Sequence, residues 1–247
     1  MTELQDLNRF IESTYRVESD DDLLALLSEL TQTLGFDYVS LFRRDMVRPE
    51  AMVALSNYPR HWLDIVQDRR YFVTDPVYVA SRRTAVGFRR DQIGQYVALN
   101  ELQREIMREA EDAGLADWFA VPAHVGGEAS GLATFVVADG KPLPEAKLPL
   151  AQLAGSFAFE AARRLHQGRE LKKLPDPVAL SPRQLDCLVL VARGKTDWEI
   201  ANILGIAEDT VGKYMDDARR RYDVTKRSQL LVRALYDGHF SLADAIG

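Results

Sequence analysis

Thr196 and Glu199 stand three residues apart at the head of an apolar run. At that spacing a threonine hydroxyl and a glutamate carboxylate each satisfy a backbone N–H at a helix start. Ile200, Ile203 and Leu204 continue as one apolar stripe, and Gly205 permits a tight turn. Beyond it, Val211, Tyr214, Met215, Ala218 and Tyr222 share a face at helical spacing, leaving Lys213 and Arg220 on the opposite face with Thr210 and Asp217 beside it. Two short helices joined in this way, the second with outward cations, form a helix-turn-helix that the major groove of DNA can accept. Lys195, Thr196, Thr210, Lys213, Asp217, Arg220 and Arg221 are the candidate DNA-facing residues.

Elsewhere the residue types point away from catalysis. No His, Cys and Asp cluster has metal-ligand spacing, no Gly-rich loop suits a phosphate, and His124 is a lone strand histidine expected to be packed. The single cysteine, Cys187, lies among Leu185, Leu188, Val189 and Leu190, so it is expected in a core and not as a nucleophile. One cysteine also excludes an internal disulfide framework and suits a reducing cytoplasm. With no bilayer-length apolar run and no signal peptide, a membrane partner is not expected, and neither is a cofactor. The formal net charge is −6, and residues 175–247 carry 10 Lys and Arg against 11 Asp and Glu. DNA affinity must then come from local placement of charge.

Residues 178–240 resemble the DNA-binding domain of LuxR-type regulators, whose signature runs G-K-T-x-x-E-I-A-x-x-L through T-V to a basic helix end. Gly194, Lys195, Thr196, Glu199, Ile200, Ala201, Leu204, Thr210 and Val211 match it. Two positions depart. Ala207 stands where the family has Ser or Thr, a poor N-cap costing about 1 kcal/mol. Gln184 replaces the usual Glu of the domain's first helix. The expected core of this domain is Leu185, Leu188, Val189, Ile200, Ile203, Leu204, Val211, Met215 and Leu231.

The chain before it must supply a second domain, since 247 residues allow one large or two ordinary domains. Helices are expected over 3–15 and 20–34, the latter capped by Ser19 and stopped by Gly35. Strands are expected over 38–43, 51–55, 118–124 and 132–138, the last two joined by a Gly-Gly turn. Further helices are expected over 59–69, from Asp91 or Gln92 to Gly114 carrying Leu99, Leu102, Ile106 and Ala110, and over 145–170, with a short segment opening at Asp75-Pro76. In the 145–170 helix Leu150, Leu153, Phe157, Ala161 and Leu165 form one side; Ala154, Gly155, Ala158 and Ala162 suit either close packing on the sheet or a dimer contact. Without βαβ alternation the fold class is α+β: an N-terminal α-β-α sandwich around an antiparallel sheet, plus an all-α C-terminal domain. Boundaries fall at 1–171, a linker at 172–180 marked by Pro175 and Pro177, and 181–247.

Asn57-Tyr58-Pro59-Arg60-His61-Trp62, with Asp75-Pro76 downstream, is similar to the N-acyl-homoserine-lactone pocket of LuxR-type quorum-sensing receptors. The resemblance implies that Tyr58 donates its hydroxyl to the ligand's amide carbonyl, Trp62 its indole N–H to the lactone carbonyl, and that Asp75 accepts from the amide N–H. Thr134 matches a strand hydroxyl that reaches the same amide. A mainly apolar pocket needs only a few such polar groups to orient a ligand. Three wall positions differ: Arg90 replaces a Trp on the lactone side, Trp118 replaces a Gly, and Val66 replaces an aromatic. Trp118 is expected to refill the space left by the missing Trp, while Arg90 either turns to solvent or lies over the pocket. The function implied is that of a homodimeric transcription regulator responding to an acyl-homoserine lactone or related amide on near-palindromic DNA, with RNA polymerase as a further partner. The alternative is an orphan regulator answering a non-lactone ligand or none.

Overall fold

The computed structural model describes residues 3–43, 53–125, 128, 130–166 and 178–246. It divides into two compact units, Met1–Lys172 and Lys173–Gly247.

The first unit runs α1 (Glu3–Thr14), α2 (Asp20–Thr33), β1 (Tyr38–Arg43), β2 (Val53–Ser56), α3 (Arg60–Asp68), a 3-10 turn (Tyr71–Val73), α4 (Pro76–Ser81), β3 (Phe88–Arg89), a second 3-10 segment (Arg90–Gln95), α5 (Glu101–Asp112), β4 (Asp117–Ala123), β5 (Gly131–Val137) and, after a third 3-10 turn, α6 (Leu148–His166). The strands form one antiparallel sheet in the order β2-β1-β5-β4-β3. Alternation along the strands gives each face its own core. Val39, Leu41, Val121, Ala133, Phe135 and Val137 pack with α1, α2 and α6; Trp118, Ala120, Leu132 and Val136 pack with α3, α4 and α5. A one-residue register slip would exchange the two faces, so burial on both sides fixes the pairing.

The small-residue side of α6 lies on the sheet. Ala154, Gly155 and Ala158 are buried there, and a Cβ at Gly155 would stand 3.0 Å from Val121 Cγ1 and 3.1 Å from the Ala133 Cβ. Close packing on the unit's own sheet therefore uses the residues that could have served a dimer, and Leu153 is left exposed. The helix expected from Asp91 to Gly114 is two elements. Asn100 accepts from the Gln103 N–H and the Gln103 side chain accepts from the Asn100 N–H, so a complete capping box restarts the chain as α5. Leu102 of the expected stripe consequently faces solvent. The two-residue β3 carried no periodicity to read. The Gly-Gly turn and residues 51 and 52 lie outside the described residues.

The second unit is all-α: α7 (Pro182–Ala192), α8 (Asp197–Leu204), α9 (Glu208–Arg221), α10 (Arg227–Tyr236) and α11 (Leu242–Ile246). Cys187, Leu188, Ile200, Val211, Met215, Ala218, Leu230 and Ala234 form its centre. Two expectations fail here: Ile203 is exposed, and Leu230 takes the central place while Leu231 is only half-buried. Gln184 completes a capping box with Ser181 at the head of α7, which is the work a Glu would do there. Of the expected linker, Val178 and Ala179 are held by the second unit: His239 Nε2 lies 2.8 Å from the Val178 carbonyl, and Arg221 donates to the Ala179 carbonyl at 2.8 Å.

Candidate ligand cavity and nucleic-acid interface

Between the second face of the sheet and the α3, α4 and α5 layer lies a cavity of about 580 Å³. That is within the roughly 300–1,000 Å³ typical of small-molecule pockets. Phe42, Leu63, Val66, Val77, Ile106, Leu115, Leu132 and Val136 give it apolar walls. Across its floor the strand register sets Ser40 opposite Ser56 on β2 and opposite Thr134 on β5, a row of three hydroxyls. Ser40 and Ser56 were not singled out from the sequence. Their only signal was a polar residue at an inward strand position, which becomes legible once the register is known.

Tyr58 reaches this row because the chain leaving β2 is pinned: Ser56 Oγ accepts from the Tyr58 N–H at 3.0 Å and Asn57 Oδ1 accepts from the Val39 N–H at 2.7 Å. Burial, reinforced by the nearby Asp75 charge, pushes the Tyr58 phenol well above its ordinary pKa, and hydrogen bonds with Thr134 and Ser40 oppose this only in part. Tyr58 is thus a protonated donor. Asp75 is the N-cap of α4, its Oδ1 accepting from the N–H of Val77 at 2.7 Å and of Tyr78 at 3.2 Å. Burial raises the Asp75 carboxyl, and those two N–H groups work against the rise. Both cap bonds land on Oδ1, and among the described residues Oδ2 has no protein partner. The cap geometry therefore aims a second acceptor oxygen that α4 does not use.

Trp62 is buried on α3 with its ring 6.3 Å from that of Tyr71. The Tyr71 hydroxyl donates to Glu109 at 3.0 Å and accepts from Arg69 at 2.8 Å, which ties this wall to α5. Val66, Trp118 and Thr134 also line the cavity. The structure thus brings together Tyr58, Trp62, Val66, Asp75, Trp118 and Thr134. Arg90 is not among them and neither expected course holds: it donates to the Ala116 carbonyl and pairs with Glu111 at 2.6 Å, bracing the end of α5 against the start of β4. Two acceptors within reach outcompeted an aromatic ring. His124, just past β4, is engaged with the Ser81 and Thr84 carbonyls and Ser130 Oγ.

In the second unit Thr196 and Glu199 make the reciprocal capping box, and Gly205 turns the chain at φ 65°. Lys195 pairs with Glu199 at 3.2 Å, so it and Thr196 first serve the start of α8. Ala207 gives α9 no side-chain cap. On α9, Lys213 is exposed with no ion-pair partner among the described residues; Arg220 is exposed and paired with Asp217; Thr210 is half-buried; Arg221 holds the Ala179 carbonyl. Trp198 and Ile203 add two exposed apolar side chains on α8.

Residues 19–162 match the autoinducer binding domain family, and residues 178–234 match the bacterial regulatory proteins of the luxR family. The chain belongs to the LuxR family. It is similar to the quorum sensing-dependent transcriptional regulator VjbR of Brucella abortus (strain 2308), 30% identical over 232 residues that cover 87% of this chain and 86% of the relative. The transcriptional activator AhyR of Aeromonas hydrophila is 26% identical over 240 residues, covering 94% and 91%. SdiA solved in complex with octanoyl-rac-glycerol shares the fold with a TM-score of 0.55 at 21% identity, covering 94% of each chain. A LuxR-type regulator is a DNA-binding, autoinducer-responsive transcription factor and not an enzyme. Among the described residues no helix is long and apolar enough to cross a membrane.

Proposed function

We propose that this LuxR-type regulator binds an N-acyl-homoserine lactone, or a close amide-bearing relative, in the cavity of its first unit. The observation that carries this is the grouping of a protonated phenol, an unspent carboxylate oxygen and a hydroxyl row inside apolar walls. An amide presents one acceptor and one donor. Tyr58 donates to its carbonyl, Asp75 Oδ2 accepts from its N–H, Thr134 supports the same group, and Trp62 offers its indole N–H to the lactone carbonyl. The acyl group lies along the apolar walls. Binding to the folded state stabilises that state by mass action, about 2.7 kcal/mol at a ligand concentration one hundred times Kd. Receptor level and dimer population then follow the signal.

As a homodimer in the cytoplasm, the protein sets two α9 helices into successive major grooves of a near-palindromic site, with Lys195, Thr196, Thr210, Lys213, Asp217, Arg220 and Arg221 toward DNA and RNA polymerase beside it. Titration calorimetry of a lactone series against the full chain tests the cavity: one-to-one binding that weakens at least tenfold in Tyr58→Phe supports it, and no heat with any member refutes it. A second reading is a regulator that answers a non-lactone amphiphile or needs none. The replaced walls at Val66 and Trp118 favour it, as does the octanoyl-glycerol held by SdiA. Binding of a monoacylglycerol but no lactone would select it.

A further inference from the structure

α9 carries a glycine in its interior that its own unit does not need. Gly212 is the fifth residue of the helix, with helical φ, and nothing stands within 4 Å of where its Cβ would be. Gly194, Gly205 and Gly238, the other described glycines of this unit, all have positive φ and close turns that alanine would strain. Gly155 in the first unit is held by packing. Gly212 has neither reason, while glycine in a helix interior costs stability relative to alanine.

The cost falls at one place. α7 and α8 each begin with a complete capping box, whereas α9 begins at Ala207 with no side-chain cap. Of these three helices, the one that starts without a side-chain cap is therefore the second helix of the helix-turn-helix, at the end that meets base edges in this motif. Gly212 is next to exposed Lys213 and one turn from exposed Asp209 and Asp216, at the border of the solvent face. Glu208 and Asp209 favour the dipole at this end in place of a side-chain cap. Nothing inside the protein calls for a glycine at 212, however, and a local rule broken there points to a requirement outside it.

We propose that Gly212 is a close-approach point for duplex DNA: its missing side chain leaves a notch that lets the α9 backbone sit against a base-pair edge in the major groove. This rests on the reading of the second unit as a DNA reader and deepens it. A side chain there stands the helix off from the bases by the thickness of a methyl group, lengthening every hydrogen bond that Lys213 and its neighbours make to base edges. Contacts to phosphate, made by longer and more flexible side chains, change less. Gly212 is accordingly a specificity-determining residue that acts by absence.

The experiment uses the full chain purified from its own host. A duplex is selected by the parent protein from a random-sequence pool, and its affinity is measured for the parent and for Gly212→Ala alongside amide hydrogen exchange across residues 208–221. The expected result is exchange slowed about fivefold in Gly212→Ala, because the helix is intrinsically stronger. Affinity for the selected duplex falls at least tenfold, and the slope against salt stays unchanged because phosphate contacts persist. Equal or tighter binding of the selected duplex by Gly212→Ala would overturn the proposal. So would faster exchange in the variant, since glycine would then be serving the fold. If the parent enriches no duplex at all, the DNA-reader assignment fails first and the proposal with it.

Discussion

Trp118 stands edge-on to Phe88, their ring centroids 5.8 Å apart and their planes at 88°. That contact, with Val136 opposite it across the β4–β5 register and Ile106, Ala110 and Leu115 above, fixes the indole as part of the cavity wall. An indole in a close-packed wall takes up space that a ligand cannot share. Trp118→Gly is expected to shift the preference within a chain-length series of lactones from compact acyl groups toward longer ones, by at least tenfold for the longest. Removing a buried Trp also costs about 3–5 kcal/mol of stability. Ratios between ligands within each protein are therefore the measure. An unchanged ranking would show that Trp118 does not shape the ligand.

Asp75→Asn separates capping from recognition. Asparagine is as good an N-cap as aspartate and carries no buried charge, so α4 and the unit should keep or gain stability at neutral pH. The charge-assisted bond to an amide N–H is lost, and calorimetry should show affinity at least tenfold weaker. Equal affinity in both proteins removes Asp75 from the amide clamp.

Burial holds the Asp75 carboxyl above the ordinary carboxylate range. As pH falls, the folded chain takes up this proton before the unfolded chain does, so this group destabilises the fold above its raised pKa and the penalty is relieved below it. Ligand recognition runs the other way, because only the ionised carboxylate accepts strongly from an amide N–H. Lactone affinity should therefore fall on moving from neutral to mildly acidic pH while the ligand-free first unit loses none of its stability through Asp75. In Asp75→Asn the affinity profile should flatten. Calorimetry at several pH values checks both, and a parent profile as flat as the variant's would contradict the clamp.

Arg220 is 78% exposed in its pair with Asp217. A pair so exposed is worth only about 0–1 kcal/mol, so Arg220 can exchange Asp217 for a phosphate at little cost. Lys213→Ala and Arg220→Ala should each weaken binding to a selected duplex, and each should lower the salt slope by about one if the contact is to phosphate. Lactone affinity should not move. Unchanged DNA binding at several salt concentrations in both variants would remove this face of α9.

Much of this structure was legible in the sequence where the cause is local. Ser19 and Thr196 cap the helices expected of them, Asp75 opens α4 where a short segment was expected, and Gly35 and Gly205 end or turn the chain as expected. The cause was also local in the expectation that failed between Asp91 and Gly114: Asn100 and Gln103 form a capping box inside an apolar periodicity that looked continuous. What could not be read is non-local. The Ser56–Ser40–Thr134 row exists only through the pairing of β2, β1 and β5. The position of Arg90 depends on Glu111 and Ala116, brought near by the turn after α5. Ile203 fits an apolar stripe, yet its side chain is exposed, because burial depends on which helices pack on α8 and not on the stripe alone.

The most direct test of the central claim is the identity of the molecule carried by the protein itself. The full chain and Asp75→Asn are each purified from the native host and the bound small molecules extracted and weighed by mass spectrometry. The account predicts a near-stoichiometric N-acyl-homoserine lactone, or another acyl amide, with the parent and its loss from Asp75→Asn. A parent that carries a ligand lacking an amide, retained equally by the variant, or a folded parent that carries nothing, would contradict it.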